Sequence, residues 1–134
     1  MNTKIFVSLP VRDLPKSTEF YQAIGFSLNP QFCDDTATCL VVSDTIFVML
    51  LTHAKFQGFT TKSICDATSS CAVGLSLSCE SRAAVDSIVR KAVAVGATTP
   101  SEPKDYGFIY DHGFDDLDGH NWGFFYMDES AVQK

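Results

Sequence analysis

The stretch FDDLDGHNWGFFYMD, residues 114–128, holds the densest group of side chains able to move a proton. Asp115 and Asp116 could act as general acid and base, with His120 as a proton carrier at the mouth of a pocket. The same residues also fit a turn. Asp118-Gly119 is a strong hairpin-type signal, and charged groups at turns are mostly solvated. We therefore expect the acidic turn to be a fold feature, with Asp115 and Asp116 as a solvated rim and His120 either a surface turn residue or that proton carrier. The other histidines, His53 and His112, do not pair at helical or strand spacing with each other or with His120, so they spell no metal motif. The five cysteines, Cys33, Cys39, Cys65, Cys71 and Cys79, are odd in number and lack a C-x-x-C pair. That pattern is neither a disulfide framework nor a zinc site. It predicts reduced, mostly packed thiols in a cytoplasmic protein. No P-loop, no Gly-x-Gly-x-x-Gly and no nucleophile elbow is present.

These residues must be positioned by a chain of 134 residues that is 46% hydrophobic and 19% charged. That is the composition of a globular domain rather than a disordered segment. The formal net charge of −6 and the scatter of the basic residues argue against nucleic acid or an anionic membrane surface as partner. No apolar run approaches the ~20 residues of a membrane span, and the residues up to Leu9 do not read as a signal peptide.

Residues 4–9 read as a strand. Asp13 caps a helix with Pro15 in its first turn; Ser17, Phe20, Tyr21 and Ile24 form its face and Gly25 ends it. Strands follow at 26–32, interrupted by Pro30, at 38–42 and at 45–51. Residues 52–70 read as a loop or short helix linking two halves. The second half repeats the order. A strand spans 71–79, Glu80 or Ser81 caps a helix with Val85, Ile88, Val89, Ala92 and Val95 on one stripe, and Gly96 stops it. Strands at 97–99, 106–110 and 121–127 complete it. Strand–helix–strand–strand–strand thus appears twice, an internal duplication of architecture.

Strand alternation sorts the side chains. Phe6 and Ser8 lie opposite Ile5, Val7 and Leu9. Phe47 and Met49 lie opposite Ile46, Val48 and Leu50. Gly74 and Ser76 lie opposite Val73, Leu75 and Leu77. Asn121, Gly123 and Phe125 lie opposite Trp122, Phe124 and Tyr126. The uniformly apolar faces suit the two amphipathic helices. The mixed faces suit either a ligand pocket or a second core against another subunit. Tyr106, Phe108, Tyr110 and His112 also alternate, and either stack on a flat ligand or pack against the linker or a subunit.

Two motifs carry a family resemblance. SLPVRDLPKSTEFYQAIGF (8–26) resembles the opening of the vicinal oxygen chelate superfamily, which includes glyoxalase I, bleomycin-resistance proteins and extradiol dioxygenases. DLDGHNWGFFYMD (116–128) resembles its closing strand. The resemblance implies an α+β domain over residues 1–134. It would be built of two βαβββ modules, about 1–60 and about 70–130, forming a cupped mixed sheet with helices on the convex face. It also implies a homodimer. In the superfamily's metal enzymes four ligands point into the cup from the first and fourth strands of each module. Here those positions fall at Phe6, Met49, Gly74 and Gly123, which offer no imidazole nitrogen or carboxylate oxygen for a divalent ion. The expected function is therefore binding of a small neutral or cationic, partly aromatic molecule, with no metal or other cofactor. The expected lining is Phe6, Ser8, Phe47, Met49, Gly74, Ser76, Phe108, Asn121, Gly123 and Phe125. The alternatives are a lyase or dioxygenase that recruits metal through other ligands, and a non-catalytic module whose cup face is a dimer contact. The fold alone does not separate the three.

Overall fold

The structure, a computed structural model, describes residues 2–131. The chain divides into two compact units, Met1–Cys65 and Asp66–Lys134. Each repeats the same order of elements, as the sequence pattern predicts, and each builds its own four-stranded mixed sheet.

In the first unit, β1 (Ile5–Val11) leads through Asp13 into α1 (Leu14–Ala23). The Asp13 carboxylate accepts from the Lys16 N–H at 3.1 Å, satisfying one of the donors that a helix start leaves unpaired. Pro15 is tolerated in the first turn because no intrahelical bond needs its missing N–H. Strands β2 (Ser27–Leu28), β3 (Ala37–Val41) and β4 (Ile46–Thr52) follow, then a short α2 (His53–Gln57). The strand expected at 26–32 is cut to two residues, and Pro30–Phe32 form a 3₁₀ turn instead. Pro30 has no N–H to give a ladder. The strand order is β1-β4-β3-β2, with β1 parallel to β4 at one edge.

Helix α1 packs on β3 and β4. The Thr18 hydroxyl donates to the Leu14 carbonyl and meets the Thr38 hydroxyl, both at 2.8 Å. Because Thr18 has one proton and gives it to Leu14, Thr38 is the donor between the two hydroxyls. That contact places Thr38, and with it its cross-strand partner Leu50, on the helix side. Leu14, Phe20, Tyr21, Leu40, Val48 and Leu50 are buried there.

In the second unit, β5 (Gly74–Ser78) precedes α3 (Arg82–Ala94). The Ser81 side chain accepts from the Ala84 N–H at 3.0 Å, an N-cap worth about 1 kcal/mol. Strands β6 (Lys104–Asp105), β7 (Ile109–Asp115) and β8 (Asn121–Met127) complete a sheet of order β5-β8-β7-β6. Residues 97–99 form no strand; Thr98 only bridges Asp115. The strand expected at 106–110 is also displaced. Gly107 turns the chain at φ +89°, and the pairing with β8 runs from Ile109 to Asp115. Helix α3 packs on β7 and β8, and Val85, Val89, Ala92, Phe114, Trp122 and Phe124 are buried. The Phe114 and Phe124 rings stack at 5.6 Å between centroids.

The acidic turn is a fold feature, but not a solvated one. Asp116 and Asp118 are each only 7% exposed, which corrects the expectation of a solvated rim at Asp116. An Asp116 carboxylate oxygen accepts from the N–H groups of Asp118 (3.0 Å) and His120 (2.8 Å). The backbone of Asp116 also pairs with that of His120. A carboxylate that holds two backbone donors can stay buried because its acceptor capacity is used. Gly119 completes the turn at φ +90°, and a Cβ there would sit 2.7 Å from the Ala67 backbone. Gly119→Ala should therefore cost about 2–3 kcal/mol, from strained backbone and a clash that no rotamer relieves. Gly25→Ala, also at positive φ but with nothing within 4 Å, should cost about 1–2 kcal/mol. Urea unfolding of both variants checks the order; equal losses would contradict the clash.

Candidate functional site

The faces turned away from the helices hold the expected site residues other than Phe108, which lies outside the strands. In the first unit Phe6 pairs with Phe47 across β1 and β4, and Ser8 pairs with Met49. The two Phe rings stack at 4.7 Å and 12°, with the Lys4 ammonium 5.8 Å from the Phe47 ring centre. Phe6 is half exposed while Phe47 is buried, so Phe6 screens its neighbour. These four residues share the face opposite α1, as alternation predicts.

In the second unit three cross-strand rows build the open face. Gly74, Asn121 and Asp115 form one row, Ser76, Gly123 and Gly113 the next, and Ser78, Phe125 and Asp111 the third. The middle row has almost no side-chain bulk. A groove of about 490 Å³ lies over it, lined by Ser76, Asp111, Gly113, Asn121, Gly123 and Phe125, with Ile109 and Met127 at one end and Pro100 and Ser101 at its side. The size and the mixture of apolar wall and few polar groups are those of a small-molecule site. Asn121 donates to the Asp115 carboxylate at 3.2 Å, which fixes its amide. The Ser101 carbonyl lies 3.0 Å from His112 Nε2, tying the side wall to β7. Among the described residues no Lys or Arg lines the groove.

Of the expected residues, Ser76, Asn121, Gly123 and Phe125 line this groove. Gly74 lies beside it, paired with Asn121. Phe108 does not line it; it precedes β7, is 42% exposed, and its carbonyl accepts from the Asp128 N–H. Asp111, Gly113, Ile109 and Met127 were missing from the expected set. Continuing the alternation of β7 to Asp115 would have found the first three. The aromatic row Tyr106, Phe108, Tyr110 and His112 does not form one ligand face. Tyr106 lies outside the strand. Tyr110 turns to α3, where its hydroxyl donates to Asp86 at 2.5 Å. Arg82 stacks on Tyr110 at 5.5 Å and on Tyr126 at 6.0 Å, and it holds Asp105 and the Gly107 carbonyl. This cluster ties the start of α3 to the turn between β6 and β7.

The positions that the resemblance assigns to metal ligands, Phe6, Met49, Gly74 and Gly123, do not fit a divalent ion. Among the described residues no group of three or more His, Cys, Asp or Glu side chains is placed to hold one. His53 is exposed at the start of α2, and His120 gives its N–H to Asp116. The thiols are less uniformly packed than expected. Cys39 is buried and Cys33 and Cys79 half-buried, but Cys65 and Cys71 are exposed. Burial pushes the Cys39 and Cys79 thiols up, away from the thiolate form. Both are correspondingly poor nucleophiles. No helix among the described residues is long and apolar enough to cross a membrane.

Paired βαβββ units, each with an open sheet face, define the class of fold. Residues 3–43 match the family described as bleomycin resistance protein-like N-terminal. A hypothetical protein from S. aureus is 31% identical, with a TM-score of 0.79 over 94% of this chain and 95% of its own. A glyoxalase/bleomycin resistance protein/dioxygenase family enzyme from Burkholderia phytofirmans PsJN is 19% identical, with a TM-score of 0.75 over 91% of this chain and 96% of its own. The fosfomycin resistance protein FosX from Listeria monocytogenes is 16% identical, with a TM-score of 0.67 over 100% and 95%. The last two show a shared fold. No curated protein sequence matches the chain. The chain belongs to the vicinal oxygen chelate superfamily.

The Tyr110–Asp86 hydrogen bond has a pH signature. Donation to the Asp86 carboxylate, with burial and that charge adding to it, holds the Tyr110 hydroxyl above its ordinary value. A raised folded-state value means that the stabilisation is fully present below the unfolded value, about 10, and is lost as pH rises through the folded one. Tyr110→Phe should lower the melting temperature at neutral pH and lose less of it than the wild type on going to higher pH. Parallel melting curves for the two proteins would contradict this.

Proposed function

We propose that the protein binds a small neutral or cationic, partly aromatic molecule on the open face of its second sheet, without a metal cofactor. The observation that carries this is the row Ser76–Gly123–Gly113. It leaves a nearly side-chain-free floor beneath a groove of about 490 Å³. Phe125 offers a ring for stacking. Asn121 and Ser76 offer orienting hydrogen bonds, and the acidic, Lys- and Arg-free lining disfavours anions. We extend the proposal to the open face of the first sheet, where Phe6, Ser8, Phe47 and Met49 supply apolar surface. Solved structures of this fold include a glyoxalase/bleomycin resistance protein/dioxygenase family enzyme and a fosfomycin resistance protein, which supports a small-molecule task. The 31% identical relative is called hypothetical and adds no activity.

A thermal-shift screen with neutral aromatics and aromatic amines tests this. A ligand at ten times its Kd adds about 1.4 kcal/mol and should raise the melting temperature by about 4 °C. Gly123→Trp should abolish the shift, because a Cβ there already lies 3.2 Å from Ser76 Oγ and the indole fills the groove. A library without hits, or hits indifferent to Gly123→Trp, sinks the proposal.

We further propose a cytoplasmic homodimer. Ile5 and Phe6, 54% and 48% exposed on the edge strand β1, support a contact with a second copy. Sedimentation velocity should give twice the monomer mass, and Phe6→Asp should shift it toward the monomer. A monomer throughout refutes the dimer.

A further inference from the structure

The groove contains one acidic group that the fold does not use. Asp116 holds the turn before β8, and Asp115 accepts from Asn121. Asp86 accepts from Tyr110 and Asp105 from Arg82. Asp111 is different. It stands in the middle of β7, half-buried in the groove wall. Among the described residues its carboxylate has no hydrogen-bond or ion-pair partner. A half-buried carboxylate without a protein partner at a groove is satisfied by water, which a ligand donor can replace. Its cross-strand neighbour on β8 is Phe125, so a negative charge and an aromatic ring stand side by side over the Gly123–Gly113 floor. On the other side Lys104 pairs with Asp111 in the β6–β7 ladder. Lys104 is exposed, and no ion pair joins the two, so its ammonium remains hydrated and competes only weakly for the carboxylate.

We propose that Asp111 is the specificity-determining residue of the groove, and that the ligand class is a protonated primary or secondary amine carried on an aromatic ring. This rests on the reading of the groove as a binding site and narrows it. The ring stacks on Phe125 above the glycine floor. The ammonium donates to Asp111. The Asn121 amide and the Ser76 hydroxyl take polar substituents at the other end. A neutral ligand of the same shape fills the same space but leaves Asp111 half-buried and unpaired, and it binds more weakly for that reason. An anion meets the Asp111 carboxylate and is rejected.

The test is titration of the full chain, by calorimetry or NMR, with three probes of nearly equal shape: phenethylamine, phenethyl alcohol and phenylacetate. A charge-assisted hydrogen bond predicts that phenethylamine binds at least about tenfold tighter than the alcohol. Phenylacetate should be the weakest. Asp111→Asn, which keeps shape and removes charge, should bring amine and alcohol to within about twofold of each other. Lys104→Gln should widen the gap in favour of the amine. A melting temperature for Asp111→Asn close to that of the wild type confirms that the variant folds. Equal binding of amine and alcohol by the wild type, with both lost in Gly123→Trp, overturns the role of Asp111 and leaves the groove reading standing. If none of the three binds at about 10 mM while other aromatic compounds do, the amine class is wrong. If nothing binds at all, the groove reading falls and this inference with it.

Discussion

The open face of the second sheet depends on how closely β7 and β8 approach at Gly113. A Cβ on Gly113 would run into the Trp122 carbonyl and crowd the Gly123 Cα. Only glycine allows the two strands to pair there. That pairing sets the register in which Gly123 stands opposite Gly113, and on the far side opposite Ser76. A one-residue slip would send Trp122 and Phe124 to the open face and the glycines into the core. The buried Trp122, Phe114 and Phe124 hold the register against that slip. The empty floor and the packed aromatic layer are therefore two faces of one constraint.

The two units share an order of elements but use their open faces differently. In the first, Phe6 stacks on Phe47 and Met49 lies beside them, so the face is filled with apolar bulk. In the second, Gly74, Ser76, Gly113 and Gly123 leave space, and the side chains that remain are Asn121, Asp111, Asp115 and Phe125. One architecture thus gives one apolar surface and one groove with oriented polar groups. The helices take no part in this difference. Helices α1 and α3 each cover the opposite face of their own sheet, and each starts at a side-chain cap, Asp13 or Ser81.

The acidic residues divide by what surrounds them. Asp116 can be buried because it replaces missing backbone partners in a tight turn. Asp86 receives the Tyr110 hydroxyl on the helix side, where Arg82 stacks against the same ring. Asp111 has neither service. With a formal net charge of −6, most of the surface disfavours anions, but only a carboxylate set beside a ring and above a gap can select among cations.

Local pattern by itself determined much of this protein. Asp13 and Ser81 with their apolar stripes fix the two helices. Alternation in IFVSL and NWGFFYM puts Phe6, Ser8, Asn121, Gly123 and Phe125 on the faces away from the helices. The end motifs fix the superfamily, and the side-chain types at Phe6, Met49, Gly74 and Gly123 rule out its usual metal ligands at those positions. Pattern failed where partners distant in the chain decide the outcome. The bounds of β7 follow from its pairing with β8 and from the turn at Gly107, not from the aromatic alternation of residues 106–112. A strand read as ending at 110 leaves Asp111 and Gly113 out of the expected lining, and alternation leaves Tyr110 open between a flat ligand and packing against the linker or a subunit, whereas the structure turns it to Asp86 of α3. The fate of Asp116 depends on two N–H groups that only the folded turn aims at it. Tertiary structure alone decided which carboxylates are spent on the fold and which is left facing the groove, because a hydrogen-bond partner is a matter of spatial neighbours and not of sequence spacing.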